Sequence, residues 1–254
     1  MAKEPQIQDA ETSTSIDPFF TRNNLTLQDQ QECYTIVSQL YPNQPISPAS
    51  CQGYCSFTLF VGPSTVIQFR PSPYRLDLTT TSLASSIHST HAPNTSHRAV
   101  LCSSGLHVYS MSRIPGLSLR DARARSPVLA RSPQYLETLC TSLAAFLLHS
   151  WHSPPPPMPL GKIGTSLYPR LQLLATALPP RFRPTARHLV DNASSIASLP
   201  WVLTHGDLVP GNIMLSPSSG RLTGLVDWAE AEVLPFGLCL YGLEEILGEM
   251  TEAV

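Results

Sequence analysis

Asp207, Asn212 and Asp227 are the residues whose types and spacing point to chemistry. Asp207 follows the apolar approach Trp201-Val202-Leu203, which holds its side chain at the lip of a core and turns it outward. Asn212 lies five residues on, where an apolar strand begins. The turn Pro217-Ser218-Ser219-Gly220 brings that strand back as Leu222 to Val226, and Asp227 ends the return. The hairpin therefore gathers Asn212 and Asp227, with Asp207 on the adjoining loop. Two carboxylates and an amide oxygen make a hard-oxygen set suited to magnesium and to phosphate oxygens. A metal held by Asn212 and Asp227 would neutralise charge on a transferred group while Asp207 orients an attacking hydroxyl. Carboxylates this close repel each other without a cation, which favours a bound metal. Taken singly, Asp after His-Gly is an ordinary turn or cap, and Asp-Trp at a strand end is ordinary surface. Their order, twenty residues apart across one hairpin, makes the reading functional.

The elements that must hold this set are legible in outline. Thr26 with Asp29 three positions later is a short form of a capping box, with Asp in place of Glu or Gln. The helix it opens presents Leu27, Cys33, Ile36, Val37 and Leu40 before Pro42 stops it. Phe57, Leu59 and Val61 alternate with Thr58 and Phe60, and Gly62-Pro63-Ser64 returns the chain as Val66 to Arg70. A weak helix near Leu83 to Ile87 and strands at Ala99 to Cys102 and Leu106 to Met111 follow. Beyond them the chain reads as helical. The face Leu136, Leu139, Leu143, Phe146 and Leu147 predicts a helix over Gln134 to His149. The four consecutive prolines within Ser153 to Pro159 make a stiff connector. Two further helices are expected over Leu167 to Ala177 and Pro184 to Leu199, and a last one over Leu240 to Gly248. The expected organisation is a disordered tail at 1–16, an N-terminal nucleotide-binding lobe at 17–112 and a C-terminal catalytic lobe at 113–254, with the proline-rich connector at 153–159.

Composition narrows the partners. With 254 residues and 42% hydrophobic content the chain can bury a core, while 25 prolines and only 13% charged residues indicate many loops. A formal charge of -2 gives no field for nucleic acid or an acidic membrane, so neither is expected as a partner. The arginines between Arg113 and Arg131 lack aromatic interleaving and read as a solvated face. The six cysteines fit neither a disulfide framework nor a paired zinc site, and no apolar leader or membrane-length run is present. A soluble cytoplasmic protein with free thiols is expected.

His205-Gly206-Asp207-Leu208-Val209-Pro210-Gly211-Asn212-Ile213-Met214-Leu215, followed by Gly224-Leu225-Val226-Asp227-Trp228-Ala229-Glu230-Ala231, resembles the aminoglycoside phosphotransferase and choline kinase-like superfamily. The likeness is nearest to the large set of fungal members known only by that domain. His-Gly-Asp stands where protein kinases have His-Arg-Asp, and Asp-Trp stands where they have Asp-Phe-Gly. The resemblance implies an α+β, two-lobed protein-kinase-like fold, with a small antiparallel β lobe and a mainly helical C-terminal lobe. By that resemblance Asp207 is the catalytic base, Asn212 and Asp227 hold Mg2+, and His205 is a buried organiser of the loop. Gly53-Tyr54-Cys55-Ser56-Phe57 takes the place of the nucleotide-covering loop, so Gly53 and Ser56 are candidate ATP contacts. Val108 to Gly116 takes the place of the hinge, where backbone groups near Met111 would meet adenine. Leu234-Pro235-Phe236-Gly237 matches the segment after the metal aspartate.

Two departures from the family pattern matter. The lysine that normally pairs ATP phosphates is missing: Lys3 lies in the tail, Lys162 lies beyond the hinge, and Arg70 occupies the strand position. Arg70 is either a phosphate-binding fork or an ordinary strand-edge charge. The helix after it offers no glutamate, and Asp77 precedes that helix. The family's further helices after Asp-Trp help form the acceptor pocket, and with Val254 as the last residue a C-terminally shortened lobe is expected. The implied function is ATP- and magnesium-dependent phosphotransfer to a hydroxyl of a small molecule. The competing reading is a kinase-like binding or scaffold protein without transfer activity. Protein-directed activity is disfavoured because no activation segment is recognisable between Asp227 and Leu240. An acid-rich pocket for a cationic drug is not assembled either: Asp227, Glu230, Glu232, Glu244, Glu245 and Glu249 cluster at the metal end or the last helix.

Overall fold

A computed structural model describes residues 16–50 and 52–248. The expected tail at 1–16 lies outside them except for Ile16, as do Lys3, Cys51 and Glu249. The chain divides into two compact units. The first holds the described residues up to Leu76 together with Thr95–Arg113, and the second holds Asp77–Asn94 and the chain from Ile114 onward.

Aromatic packing organises the first unit. Helix α1 (Pro18–Arg22) opens on Asp17, whose carboxylate accepts from the Phe19 amide at 2.8 Å, and it buries Phe19 and Phe20. The Phe20 and Phe57 ring centroids lie 4.8 Å apart, edge to face. Helix α2 (Leu27–Leu40) makes both bonds of its capping box. The Asp29 amide donates to Thr26 Oγ1 at 3.3 Å, and the Thr26 amide donates to Asp29 Oδ2 at 2.7 Å. The shorter acid is therefore sufficient here, and these bonds hold the Asp29 carboxyl below its ordinary pKa.

Strands β1 (Ile46–Pro48), β2 (Phe57–Val61), β3 (Thr65–Arg70), β4 (Thr95–Val100) and β5 (His107–Ser112) form an antiparallel sheet in the order β1-β2-β3-β5-β4. The alternation read in Phe57 to Val61 is realised, with Phe57, Leu59 and Val61 buried and Thr58 and Phe60 half-buried. Gly62 makes the β2–β3 turn possible. Its φ is +56°, and a Cβ there would lie 2.6 Å from Gln44 Oε1.

The second unit is mainly helical. Helix α3 (Leu78–His88) is capped by Asp77, which accepts from the Thr79 amide at 2.9 Å. Strand β6 (Leu117–Ser118) leads into α4 (Leu119–Arg125), α5 (Pro127–Ala130) and the long α6 (Pro133–His152). Helix α6 buries Tyr135, Leu139, Leu143, Phe146, Leu147 and Ser150. That stripe runs one residue off the expected face at its start, with Tyr135 inside and Leu136 at its edge.

Helix α7 (Lys162–Ala177) begins five residues before the expected Leu167. The Glu232 carboxylate caps it from far along the chain, accepting from the Ile163 amide at 2.8 Å and the Gly164 amide at 3.0 Å. The single helix expected over Pro184 to Leu199 is two, α8 (Arg183–Asp191) and α9 (Ala193–Ala197). Asn192 separates them, and its Nδ2 donates to the His188 carbonyl at 2.8 Å in competition with the helix ladder.

Strands β7 (Trp201–Thr204), β8 (Ile213–Leu215), β9 (Leu222–Leu225) and β10 (Glu232–Pro235) complete two small sheets, β10-β7 and β6-β8-β9. The last expected helix is a 3₁₀ turn over Leu238–Tyr241 followed by α10 (Gly242–Leu247). No helix among the described residues is long and apolar enough to cross a membrane.

Candidate active site

The β8–β9 hairpin positions the acid–amide set, as the apolar runs on either side of Pro217 to Gly220 require. Ile213 pairs with Leu225, and the Val226 amide donates to the Asn212 carbonyl at 3.0 Å, extending the ladder one residue past the strands. Asp227 follows at once with φ 63° and ψ 68°. A left-handed backbone at a residue other than glycine costs on the order of 1–2 kcal/mol and is held only where its surroundings fix it. Here it turns the chain into the 3₁₀ segment Trp228–Glu230 and leaves Asp227 exposed.

Asn212 closes the loop that begins at Asp207. Its Nδ2 donates to the Asp207 carbonyl at 3.0 Å and to Asp207 Oδ2 at 2.9 Å. With both amide protons spent on Asp207, the amide oxygen Oδ1 remains an acceptor on the opposite side. His205 ties the loop to the hairpin. Its Nε2 donates to the Val226 carbonyl at 2.9 Å, and its Nδ1 accepts from the Asp207 amide at 3.3 Å. A carbonyl only accepts and an amide only donates, so His205 is neutral with its proton on Nε2. Burial pushes its pKa down, against the opposing pull of the Val226 bond and the Asp227 and Asp207 charges.

Gly206 is required twice over. Its φ is +80°, and a Cβ would sit 2.0 Å from the Glu230 carbonyl oxygen. Both constraints fall within the His-Gly-Asp motif.

Several supporting residues escape sequence reasoning because their partners are distant in the chain. The Tyr241 hydroxyl accepts from the Leu208 amide at 2.6 Å, fixing the backbone immediately after Asp207. Burial raises the Tyr241 pKa, and the nearby Asp207 charge adds to the rise. Trp228 is buried, donates from Nε1 to the Leu225 carbonyl at 3.1 Å and stands edge-on to His205 at 4.8 Å. His88 at the end of α3 lies 5.4 Å from the Trp228 ring and flat on Phe146 at 3.9 Å. Its Nε2 meets Ser150 Oγ at 3.1 Å, while its Nδ1 has no partner among the described residues. Burial lowers the His88 pKa to about 3, helped by the neighbouring His149 and His91. The single visible signal for any of these was the Trp after Asp227.

The remaining candidates belong to the first unit. Gly53 accepts at its carbonyl from Arg22 Nη2 at 3.2 Å, and its α-carbon faces Ser56, whose Oγ would lie 3.5 Å from an added Cβ. Ser56 is buried and shares a 3.4 Å contact with Thr58 Oγ1. Met111 is half-buried on β5, in register with Val66 and Thr95. Arg70 is no strand-edge charge. Strand β3 lies inside the sheet, and Arg70 is 1% exposed. Its Nε donates to Gln68 Oε1 at 3.0 Å and its Nη1 to the Tyr74 carbonyl at 3.3 Å.

Among the described residues no group of three or more His, Cys, Asp or Glu is arranged to hold a metal. The donors at hand are of another kind, the Asp227 carboxylate and the Asn212 amide oxygen beside the Asp207 carboxylate. All are hard oxygens, which fit a magnesium ion in company with phosphate oxygens.

The model of the phosphotransferase enzyme family matches residues 87–237, more than half of the 254-residue chain. The chain belongs to the phosphotransferase enzyme family. No curated protein matches the sequence significantly. Among solved structures, wild-type aminoglycoside 2'-phosphotransferase-IIIa in its GDP complex is 17% identical with a TM-score of 0.55, covering 88% of this chain and 84% of that one. ADP-bound aminoglycoside phosphotransferase APH(2'')-Ib is 13% identical with a TM-score of 0.52, covering 86% and 82%. APH(3'')-Id from Streptomyces rimosus is 13% identical with a TM-score of 0.52, covering 88% and 93%. Likeness at these identities shows the fold. It is two-lobed and kinase-like, with an N-terminal β-sheet lobe and a C-terminal helical lobe.

Proposed function

We propose that this member of the phosphotransferase enzyme family transfers the γ-phosphoryl group of ATP to a hydroxyl of a small molecule. The observation that carries this reading is the closed loop in which Asn212 Nδ2 holds both the carbonyl and the carboxylate of Asp207. Asp207 accepts the acceptor's proton as its oxygen attacks phosphorus and the bond to the ADP oxygen breaks. Asn212 Oδ1 and Asp227 are the groups that would hold Mg2+, which supplies charge neutralisation for the phosphates. Neutral His205 takes no part in proton transfer. It locks the Asp207 amide to the Val226 carbonyl, one residue from Asp227.

On the nucleotide side the reading assigns Arg70 to the ATP phosphates, Gly53 and Ser56 to the covering loop, and Met111 to adenine. Free thiols at the five described cysteines accord with a cytoplasmic setting. The aminoglycosides named for the similar structures are those proteins' acceptors. Here Glu232 is spent on capping α7, which leaves one acid fewer for a cationic ligand.

The deciding experiment is magnesium-dependent ADP release with a panel of hydroxylated acceptors, run on the native protein and on Asp207→Ala. Turnover that requires Mg2+ and vanishes in the variant is expected. No turnover by the native protein would sink the reading. Arg70 favours a second reading, since two of its bonds are made within its own unit. A kinase-like binding protein without transfer would bind ATP saturably in calorimetry and release no ADP.

A further inference from the structure

We infer that Arg120 forms an anion subsite beside the Asp207–Asn212 loop, so that the acceptor bears a phosphate or carboxylate group as well as its hydroxyl. The inference rests on the phosphotransferase reading and adds a substrate class to it.

The placement of Arg120 is built into the fold. Strand β6 pairs with β8, Leu117 with Leu215 and Ser118 with Met214, and this sets the first turn of α4 against the loop. The Arg120 amide donates to the Pro210 carbonyl at 3.0 Å. Its guanidinium lies along Gly211, with Nη1 3.5 Å and Cζ 3.6 Å from where a Cβ on that glycine would sit. Gly211 immediately precedes Asn212, whose amide holds Asp207.

Stability does not explain the residue. Ser118 is the N-cap of α4, so Arg120 occupies the first turn, where the helix dipole disfavours a cation. It is exposed and forms no ion pair among the described residues. The neighbouring Asp121 leaves the helix in a different direction, as adjacent residues do. Other arginines have visible structural roles. Arg123 donates to the Ile246 carbonyl, Arg113 covers the Phe60 ring, and Arg183 donates to the Leu178 carbonyl.

A cation at this point also answers an electrostatic need. An anionic acceptor approaching Asp207 and Asp227 meets two negative charges, and a guanidinium beside the loop offsets them. Its planar fork binds a carboxylate or phosphate through two parallel bonds.

The test uses matched alcohols. Glycerol 3-phosphate, glycerate and neutral glycerol are titrated by calorimetry into the full chain and into Arg120→Ala, Arg120→Lys and Arg120→Glu, each checked for native circular dichroism. The anionic alcohols are expected to bind the native protein at least about tenfold tighter than glycerol, the size of one charge-assisted hydrogen bond. Arg120→Ala and Arg120→Glu lose that margin, Arg120→Lys keeps part of it, and the KM for ATP does not move. Equal affinity for glycerol and its phosphate overturns the subsite, as does anion affinity that survives Arg120→Glu. A raised KM for ATP with unchanged acceptor affinity overturns it too, by assigning the guanidinium to the nucleotide. Anion binding that needs Arg120, with no ADP released in any mixture, keeps the subsite and sinks phosphotransfer alone.

Discussion

The two units hold their candidate charges in opposite ways. In the sheet unit Arg70 is buried on an interior strand, and two of its donors go to Gln68 and Tyr74. In the helical unit Asp227 is exposed and Asp207 half-buried, while His205, Asn212, Tyr241 and Trp228 do the holding around them. A buried cation without partners is very costly, so Arg70 has to be fixed by direct bonds. A carboxylate that is to meet a substrate, as proposed for Asp207, has to remain open, so the surrounding backbone is fixed in its place.

The largest expected effect tests the open carboxylate. Asp207→Ala should lower turnover by roughly a hundred- to ten-thousandfold, the usual worth of a positioned base, with urea stability little changed. A large loss of stability instead would make Asp207 a structural group like Arg70. Next is Arg70 itself. Arg70→Ala leaves Gln68 Oε1 and the Tyr74 carbonyl without this donor and should destabilise the protein by about 2–4 kcal/mol. It should also raise the KM for ATP, and Arg70→Lys should restore part of that rise. Stability loss with an unmoved KM in both variants would leave the sheet unit a purely structural arginine.

His88 sharpens the contrast through pH. Its folded pKa of about 3 lies below the ordinary 6.5, so over that window the unfolded chain takes up a proton that the folded chain refuses. Its contribution is complete above pH 6.5 and is lost as pH falls toward 3. One proton amounts to about 1.4 kcal/mol per pH unit, so about 2–3 kcal/mol should disappear between pH 6.5 and 4.5. His88→Phe keeps a ring on Phe146 and should flatten that part of the urea-midpoint curve. The smallest effect is Thr26→Ala. Loss of its cap should cost about 1 kcal/mol by thermal melting and leave kcat and KM untouched.

Local patterns carried much of the fold into the sequence. The capping box at Thr26, the β2 alternation and the Pro217–Gly220 hairpin depend on residues a few positions apart, and all three are present. No local pattern marks the start of α7, because its cap, Glu232, is 69 residues from Ile163. The break at Asn192 leaves no mark in the helical periodicity, which does not register a side chain bonding back to the His188 carbonyl. In the candidate site, the closeness of Asn212 to Asp207 and the position of Asp227 just past the hairpin follow from order and spacing, whereas the contacts of Tyr241, His88 and Arg120 carry no local signal.

The sequence by itself determined the hairpin, the acid–amide set at its open end and the arginine, in place of lysine, at the end of β3. These follow from residue type and short spacing, where chain connectivity already enforces proximity. Only the tertiary structure decided that Arg70 is buried and bonded, that His205 is locked as one neutral tautomer, and that Arg120 lies along Gly211. Each of those depends on strands or helices meeting across long stretches of chain, and periodicity along the sequence does not encode such meetings.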